Sequence, residues 1–140
     1  MSRITFADVA EINEELPWAT TLSLKVETLG EGSATVTLPF APSQLRPGGT
    51  ISGPAMMALA DYTMYLAVLS AIGRVELAVT TSLSINFLRK PPPGDIVADC
   101  RLLKLGKRLA YGEVWIHSPD GHGEEPVAHV TATYSIPPDR

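Results

Sequence analysis

One carboxylate lies inside the longest apolar run of this chain. From Pro47 to Gly73 the sequence reads PGGTISGPAMMALADYTMYLAVLSAIG, and Asp61 is its only charged residue. A carboxylate among Met, Ala and Leu is costly to bury unless it is paired, hydrogen-bonded or neutralised. Ionisable groups in such places are enriched at functional sites. The purely structural alternative is a carboxylate held by hydrogen bonds.

The elements that must position Asp61 can be read from spacing. Ser52 to about Ala71 forms one long helix, with Ser52 or Thr50 as N-cap, Pro54 in the first turn and Gly73 as its end. The helix is apolar on nearly every side and should be buried on most of them. Its length also invites a membrane reading. The central Asp, the Gly53-Pro54 pair at one end and the strand-rich remainder favour a core helix instead.

Upstream, Phe6 to Leu16 has helical spacing and Pro17 should stop it. Thr21 to Thr28 and Ala34 to Leu38 alternate apolar and polar residues around a Gly30-Glu31-Gly32 turn, so they read as a hairpin. Pro39 to Gly49 is a loop. Downstream come four strands: Glu76 to Leu88, Ile96 to Leu105, Leu109 to His117 and Val127 to Ile136. A single α+β domain over residues 1–140 follows, an antiparallel sheet wrapped around one central helix. A single curved sheet covers such a helix incompletely, and a second subunit would cover the rest.

Composition narrows the function. The 140 residues carry a net charge of −4, so neither nucleic acid nor a membrane surface is an expected partner. The single Cys100 cannot form an internal disulfide and should be a buried, inert thiol. The acidic, amphipathic segment 1–17 lacks the apolar stretch of a secretory signal, so a cytoplasmic location is expected.

Three segments carry a resemblance to a known family. Gly49 to Asp61 (GTISGPAMMALAD) resembles the G-x-x-H-G-G-x-x-x-x-L-x-D segment of phenylacetate-degradation-type acyl-CoA thioesterases of the hotdog fold. Ser84 to Arg89 (SINFLR), followed by Gly94-Asp95, resembles that family's strand ending. Leu103 to Ala110 (LKLGKRLA) resembles its hairpin. The resemblance implies that Asp61 is the catalytic carboxylate, acting as general base or nucleophile. It implies that the Gly53 N–H polarises the thioester carbonyl. It also implies that Thr80, with Thr81 beside it, helps position water. The chain departs from the family pattern in three places. The family's His is Ser52 here, its second glycine is Pro54, which has no N–H, and an upstream Asn aligns with Arg46.

If Gly53 and Asp61 serve one reaction, their spacing matters. They are eight positions apart (61 − 53), or about 12 Å along a helix. That is too far for both to touch one carbonyl. Two antiparallel copies of the helix would bring Asp61 of one chain to the helix N-terminus of the other, so a homodimer or homotetramer is expected. Arg89, Lys90, Lys107 and Arg108, with Lys104, are candidates for binding the phosphates of CoA. Ser52, Arg46 and Met57 are further substrate-binding candidates. No metal-ligand spacing is present and no cofactor is expected beyond the CoA of the substrate.

The function implied is hydrolysis of an acyl-CoA to free acid and CoA. A non-catalytic acyl-CoA-binding dimer is the alternative, favoured by the altered Ser52-Gly53-Pro54 segment. A hydratase is disfavoured because no His lies near the helix in sequence. His117, His122 and His129 fall late in the chain, Trp18 and Trp115 read as core or interface anchors, and Met56, Met57 and Met64 read as core first, with an acyl channel as the alternative.

Overall fold

The computed structural model describes residues 1–121 and 125–138. In chain order the elements are α1 (Phe6–Asn13), α2 (Pro17–Thr21), β1 (Lys25–Gly30), β2 (Ser33–Leu38), β3 (Leu45–Arg46), β4 (Thr50–Ile51), α3 (Gly53–Ile72), β5 (Val79–Phe87), β6 (Ile96–Leu105), β7 (Leu109–His117) and β8 (Pro126–Ser135). Six strands form one antiparallel sheet in the order β1-β2-β6-β7-β8-β5, while β3 and β4 make a two-residue ribbon.

The sheet alternates as the strand period demands. On β2 the inward residues are Ala34, Val36 and Leu38; on β6 they are Ile96, Ala98 and Cys100. Ala110, Val114 and Ile116 on β7, and Val130, Ala132 and Tyr134 on β8, continue the same inner face. The thiol of Cys100 sits 3.6 Å from the Met64 sulfur, and burial pushes its pKa up to about 12. It is an inert core group.

Helix α3 fills the concave side of this sheet. Fourteen of its twenty residues are buried, so it behaves as a core helix. Its polar side chains are satisfied locally: the Thr63 hydroxyl donates to the Leu59 carbonyl at 2.7 Å and that of Ser70 to the Ala67 carbonyl at 2.6 Å. Ser52 caps the N-terminus, its Oγ accepting from the Ala55 N–H at 3.3 Å. Gly73 ends the helix at φ 93°, a conformation open to glycine at little cost. Between its first and last residues the helix is open only along Pro54, Met57, Ala58 and Asp61, an i, i+3, i+4, i+7 stripe. That stripe runs beside β5. A Cβ on Gly53 would lie 3.2 Å from the Phe87 ring, and Asp61 meets Thr80.

Strand β5 is a sheet edge, and Val79 and Phe87 on it are half exposed. The uncovered helix stripe and the unpaired strand edge therefore form one continuous surface.

The N-terminal segment differs from the sequence expectation. Pro17 does not simply stop a helix that runs to Leu16. α1 ends at Asn13, and Pro17 opens the short α2, because proline fits the first helical turn as well as it breaks an interior. Thr21 closes α2, Ser23 adopts φ 58°, and the strand expected from Thr21 begins only at Lys25. Likewise residues 74–78 turn before β5, so the strand starts at Val79 rather than Glu76. The alternation at Leu22 and Leu24 reflects packing from a turn: the Leu24 N–H donates to the Ala19 carbonyl at 3.2 Å.

Trp115 is not a core residue. It lies on the outer face of β7, stacked at 4.0 Å on the His129 ring. Strand parity places it opposite the buried Val114 and Ile116.

Gly112 on β7 lies under the helix, where a Cβ would meet the Met64 sulfur at 2.8 Å and the Arg101 carbonyl at 3.0 Å. Gly112→Ala should destabilise the domain by about 1–3 kcal/mol through overpacking, read as a lowered urea midpoint at constant slope. Ser52→Ala, measured the same way, should cost about 1 kcal/mol for the lost cap.

Candidate functional site

The N-terminus of α3 is one half of the candidate site. Gly53 is the first helical residue, and its N–H makes no hydrogen bond among the described residues. Such orphan donors and the positive end of the helix dipole favour an oxyanion. Beside Gly53 is a cavity of about 360 Å³ with Met56 and Phe87 in its walls and Arg46, Arg89 and Lys90 around it. The Arg89 guanidinium is held in place, donating to the Pro126 carbonyl at 2.6 Å and pairing with Glu125 at 2.9 Å. Arg46 lies on β3 with an exposed side chain. The Ser52 hydroxyl is committed to capping the helix.

Asp61 is the other half. It is half-buried, and its Oδ1 accepts from the Thr80 hydroxyl at 2.6 Å and from the Tyr134 phenol at 2.7 Å. The apolar run thus buries a carboxylate that is hydrogen-bonded by two hydroxyls from neighbouring strands. The register explains why: Thr80 on β5 pairs directly with Tyr134 on β8, and both point inward. Thr81, the next residue along β5, turns its hydroxyl to the Thr133 carbonyl at 3.2 Å. A bulge between Thr80 and Ser82 separates the two threonines.

Around Asp61 is a second groove, of about 350 Å³. Tyr62, Tyr65 and Tyr134 form its aromatic floor, and Leu16 and Trp18 from the N-terminal segment form a wall. Trp18 packs edge-on against Tyr62 at 5.8 Å, so it is a groove residue with a partly exposed ring. Burial raises the pKa of all three tyrosines. For Tyr65 the value is about 12, with Glu76 adding to the effect of burial. For Tyr134 burial acts first and the charge of Asp61 second, so this phenol stays protonated and remains a donor.

Within one protomer the two halves share no lining residue. Met57 belongs to neither; it is exposed on the open helix stripe. Lys107 and Arg108 occupy the β6–β7 turn, at the end of the sheet marked by Ser135 and Val79. The Gly53 cavity lies at the opposite end of β5, beside Phe87.

The strand histidines lie away from both halves, on the outer face. His129 pairs with Glu113 at 3.0 Å, and His117 faces Asp99 at 3.8 Å. His122 lies outside the described residues.

Tyr134 is the functional candidate that sequence reasoning missed. The signal was available: on β8 the inward positions run Ala128, Val130, Ala132, Tyr134. A lone hydroxyl at the end of such a series needs a buried partner. Leu16, Trp18 and Tyr62 had no such signal, because only the fold of the N-terminal segment over α3 brings them to Asp61.

Comparison with known proteins agrees with this architecture. Residues 48–125 match the model of the thioesterase superfamily. A candidate thioesterase of Silicibacter sp. TM1040 is 45% identical, with 93% of this chain and 89% of that chain covered at a TM-score of 0.82. A point mutant of the phenylacetic acid degradation protein PaaI from Thermus thermophilus is 29% identical, with 86% of this chain and 99% of that one covered at a TM-score of 0.76. A candidate esterase of Saccharolobus solfataricus is 31% identical over 100 residues, 71% of each chain. The central helix, the six-stranded antiparallel wrap and these matches together place the chain in the thioesterase superfamily, with the hotdog fold of its phenylacetic acid degradation members.

Proposed function

We propose that the protein hydrolyses an acyl-CoA thioester at sites shared between two copies of the chain. Family membership supports thioester hydrolysis as the reaction class. The observation that carries the shared site is the division of the protomer into two half-sites, an oxyanion-binding helix end and a carboxylate groove, with no residue in common.

A twofold mate solves the geometry. Antiparallel pairing of the β5 edges lays the Val79 end of one strand beside the Phe87 end of the other. The open stripes of the two α3 helices then face each other, also antiparallel. Asp61 of the partner subunit comes to the Gly53 cavity, and Lys107 and Arg108 of the partner subunit approach the end that holds Arg46, Arg89 and Lys90. This collects cations for the phosphates and diphosphate of CoA. It also removes both the apolar stripe and the strand edge from water.

In this site Asp61 acts as general base. It takes a proton from water as the water oxygen attacks the thioester carbon. The carbonyl oxygen becomes an oxyanion, stabilised by the Gly53 N–H and the helix dipole. The C–S bond then breaks, and the sulfur leaves with the proton returned by Asp61. The products are a carboxylic acid and CoA. Thr80 donates its one hydroxyl proton to Asp61, so it receives water through its oxygen lone pairs rather than donating to it. Met57, on the stripe between the paired helices, lines the acyl path. The reaction is placed in the cytoplasm, where CoA esters and a reduced Cys100 are both at home.

Incubation with short, medium, long and aryl acyl-CoAs, with titration of released thiol, tests the reading. The wild-type protein should turn over at least one class. Asp61→Asn and Asp61→Ala should lose about 100-fold or more in kcat; turnover that survives both removes Asp61 from the mechanism. Saturable acyl-CoA binding without thiol release would favour the ligand-binding alternative, which Pro54 and Ser52 support by replacing polar groups of the family pattern. Ala58→Arg, on the open stripe, should give a folded monomer by sedimentation, with activity down about 100-fold because neither half-site suffices.

A further inference from the structure

We infer that Tyr134 is a positioning residue, whose phenol fixes which oxygen of Asp61 reacts and holds the carboxylate facing the groove. This rests on the reading of Asp61 as general base.

The argument is an accounting of protons. The phenol has one proton and two acceptors within reach, Asp61 Oδ1 at 2.7 Å and the Asp61 backbone carbonyl at 3.0 Å. The shorter and charge-assisted bond is to the carboxylate. Thr80 adds its own proton to the same oxygen at 2.6 Å. Oδ1 therefore receives both hydroxyl donors, while Oδ2 accepts no hydrogen bond from any described residue. With one oxygen held by two strands, the carboxylate cannot rotate without breaking both bonds. Oδ2 is the oxygen left for water.

Tyr134 suits this task better than Thr80. Its ring is 3% exposed, packed between α3 and the sheet, with the Tyr65 ring 6.2 Å away. A threonine hydroxyl on an exposed edge strand can rotate; a phenol in a packed core is preorganised. Burial keeps the phenol protonated, so it does not lose its donor as pH rises.

The groups facing Asp61 in the groove are Glu76 from the α3–β5 turn, Tyr62 and Tyr65 from α3 itself, and Thr80 and Tyr134 from the sheet. Glu15 and Arg74 lie near Tyr65. Among these only the two hydroxyls donate to the Asp61 carboxylate, and the phenol is the one fixed by packing. Without the phenol, Oδ1 keeps a single donor on the exposed edge strand and the carboxylate is free to turn.

The experiment compares Tyr134→Phe with the wild-type protein on the best acyl-CoA substrate. The expected result is a fall in kcat of about 10-fold or more with a KM changed by less than about 3-fold. Replacement of Tyr134 by 3-fluorotyrosine keeps the ring and the donor. It should keep kcat within about 3-fold of wild type, and it decides the matter if the Phe variant is poorly folded. A folded Tyr134→Phe protein with wild-type kcat overturns the inference, as does a fluorotyrosine protein as slow as the Phe variant. Asp61→Asn separates the two levels. If that variant keeps activity, the general-base reading has failed; if it is dead while Tyr134→Phe behaves as wild type, only the positioning role has failed.

Discussion

A helix that is apolar on every side has to be enclosed, and one curved sheet encloses it incompletely. Most of this molecule follows from that constraint. The inward residues of β2, β6, β7 and β8 cover α3 along its length, and the alanines among them let the sheet approach closely. Gly112 is the extreme case, with Met64 and the Arg101 backbone occupying the place of a side chain. What the sheet leaves open is the Pro54, Met57, Ala58 and Asp61 stripe beside the β5 edge. Apolar surface and unpaired strand edge in one place are the physical marks of an interface.

The same gap is where the proposed chemistry falls. A carboxylate buried on all sides would be unreachable by water, and one on the outer face would be an ordinary solvated charge. Asp61 lies where the cover ends, so Oδ1 is held by hydroxyls from the sheet while Oδ2 remains open. Gly53 lies on the same open side, about two helical turns earlier. One helix thus presents its positive end and its only charge to the same surface, too far apart to cooperate within one chain. The N-terminal segment completes the groove, anchored over α3 by the Tyr62–Asn13 hydrogen bond at 2.7 Å. Arg74 reinforces it by bridging Glu11 and Glu76, each at 2.7 Å.

Hydroxyl donors suit this location better than a cation. An Arg or Lys beside Asp61 would hold it as a committed ion pair and engage both of its oxygens. Two neutral donors on one oxygen fix the geometry and leave the other without a donor among the described residues. The cations collect instead around the Gly53 cavity, where Arg89 is itself held by Glu125.

Much of this was legible in the chain as written. The 20-residue helix announced itself by composition, its cap by Ser52 or Thr50, of which the fold uses Ser52, its end by Gly73, and the sheet by period-two alternation, because these depend on neighbours in sequence. Asp61 stood out for the same reason, as one charge in a long apolar run. The errors fell where local pattern has two physical solutions. Pro17 can end a helix or begin one, and Leu22 and Leu24 can face a core from a strand or from a turn. Tertiary structure alone decided that Thr80 and not Thr81 meets Asp61, since a single bulge in β5 sets the parity. It alone brought Tyr134 across 73 positions of sequence to the carboxylate. Contacts of that separation are set by strand order and register, which no local spacing encodes.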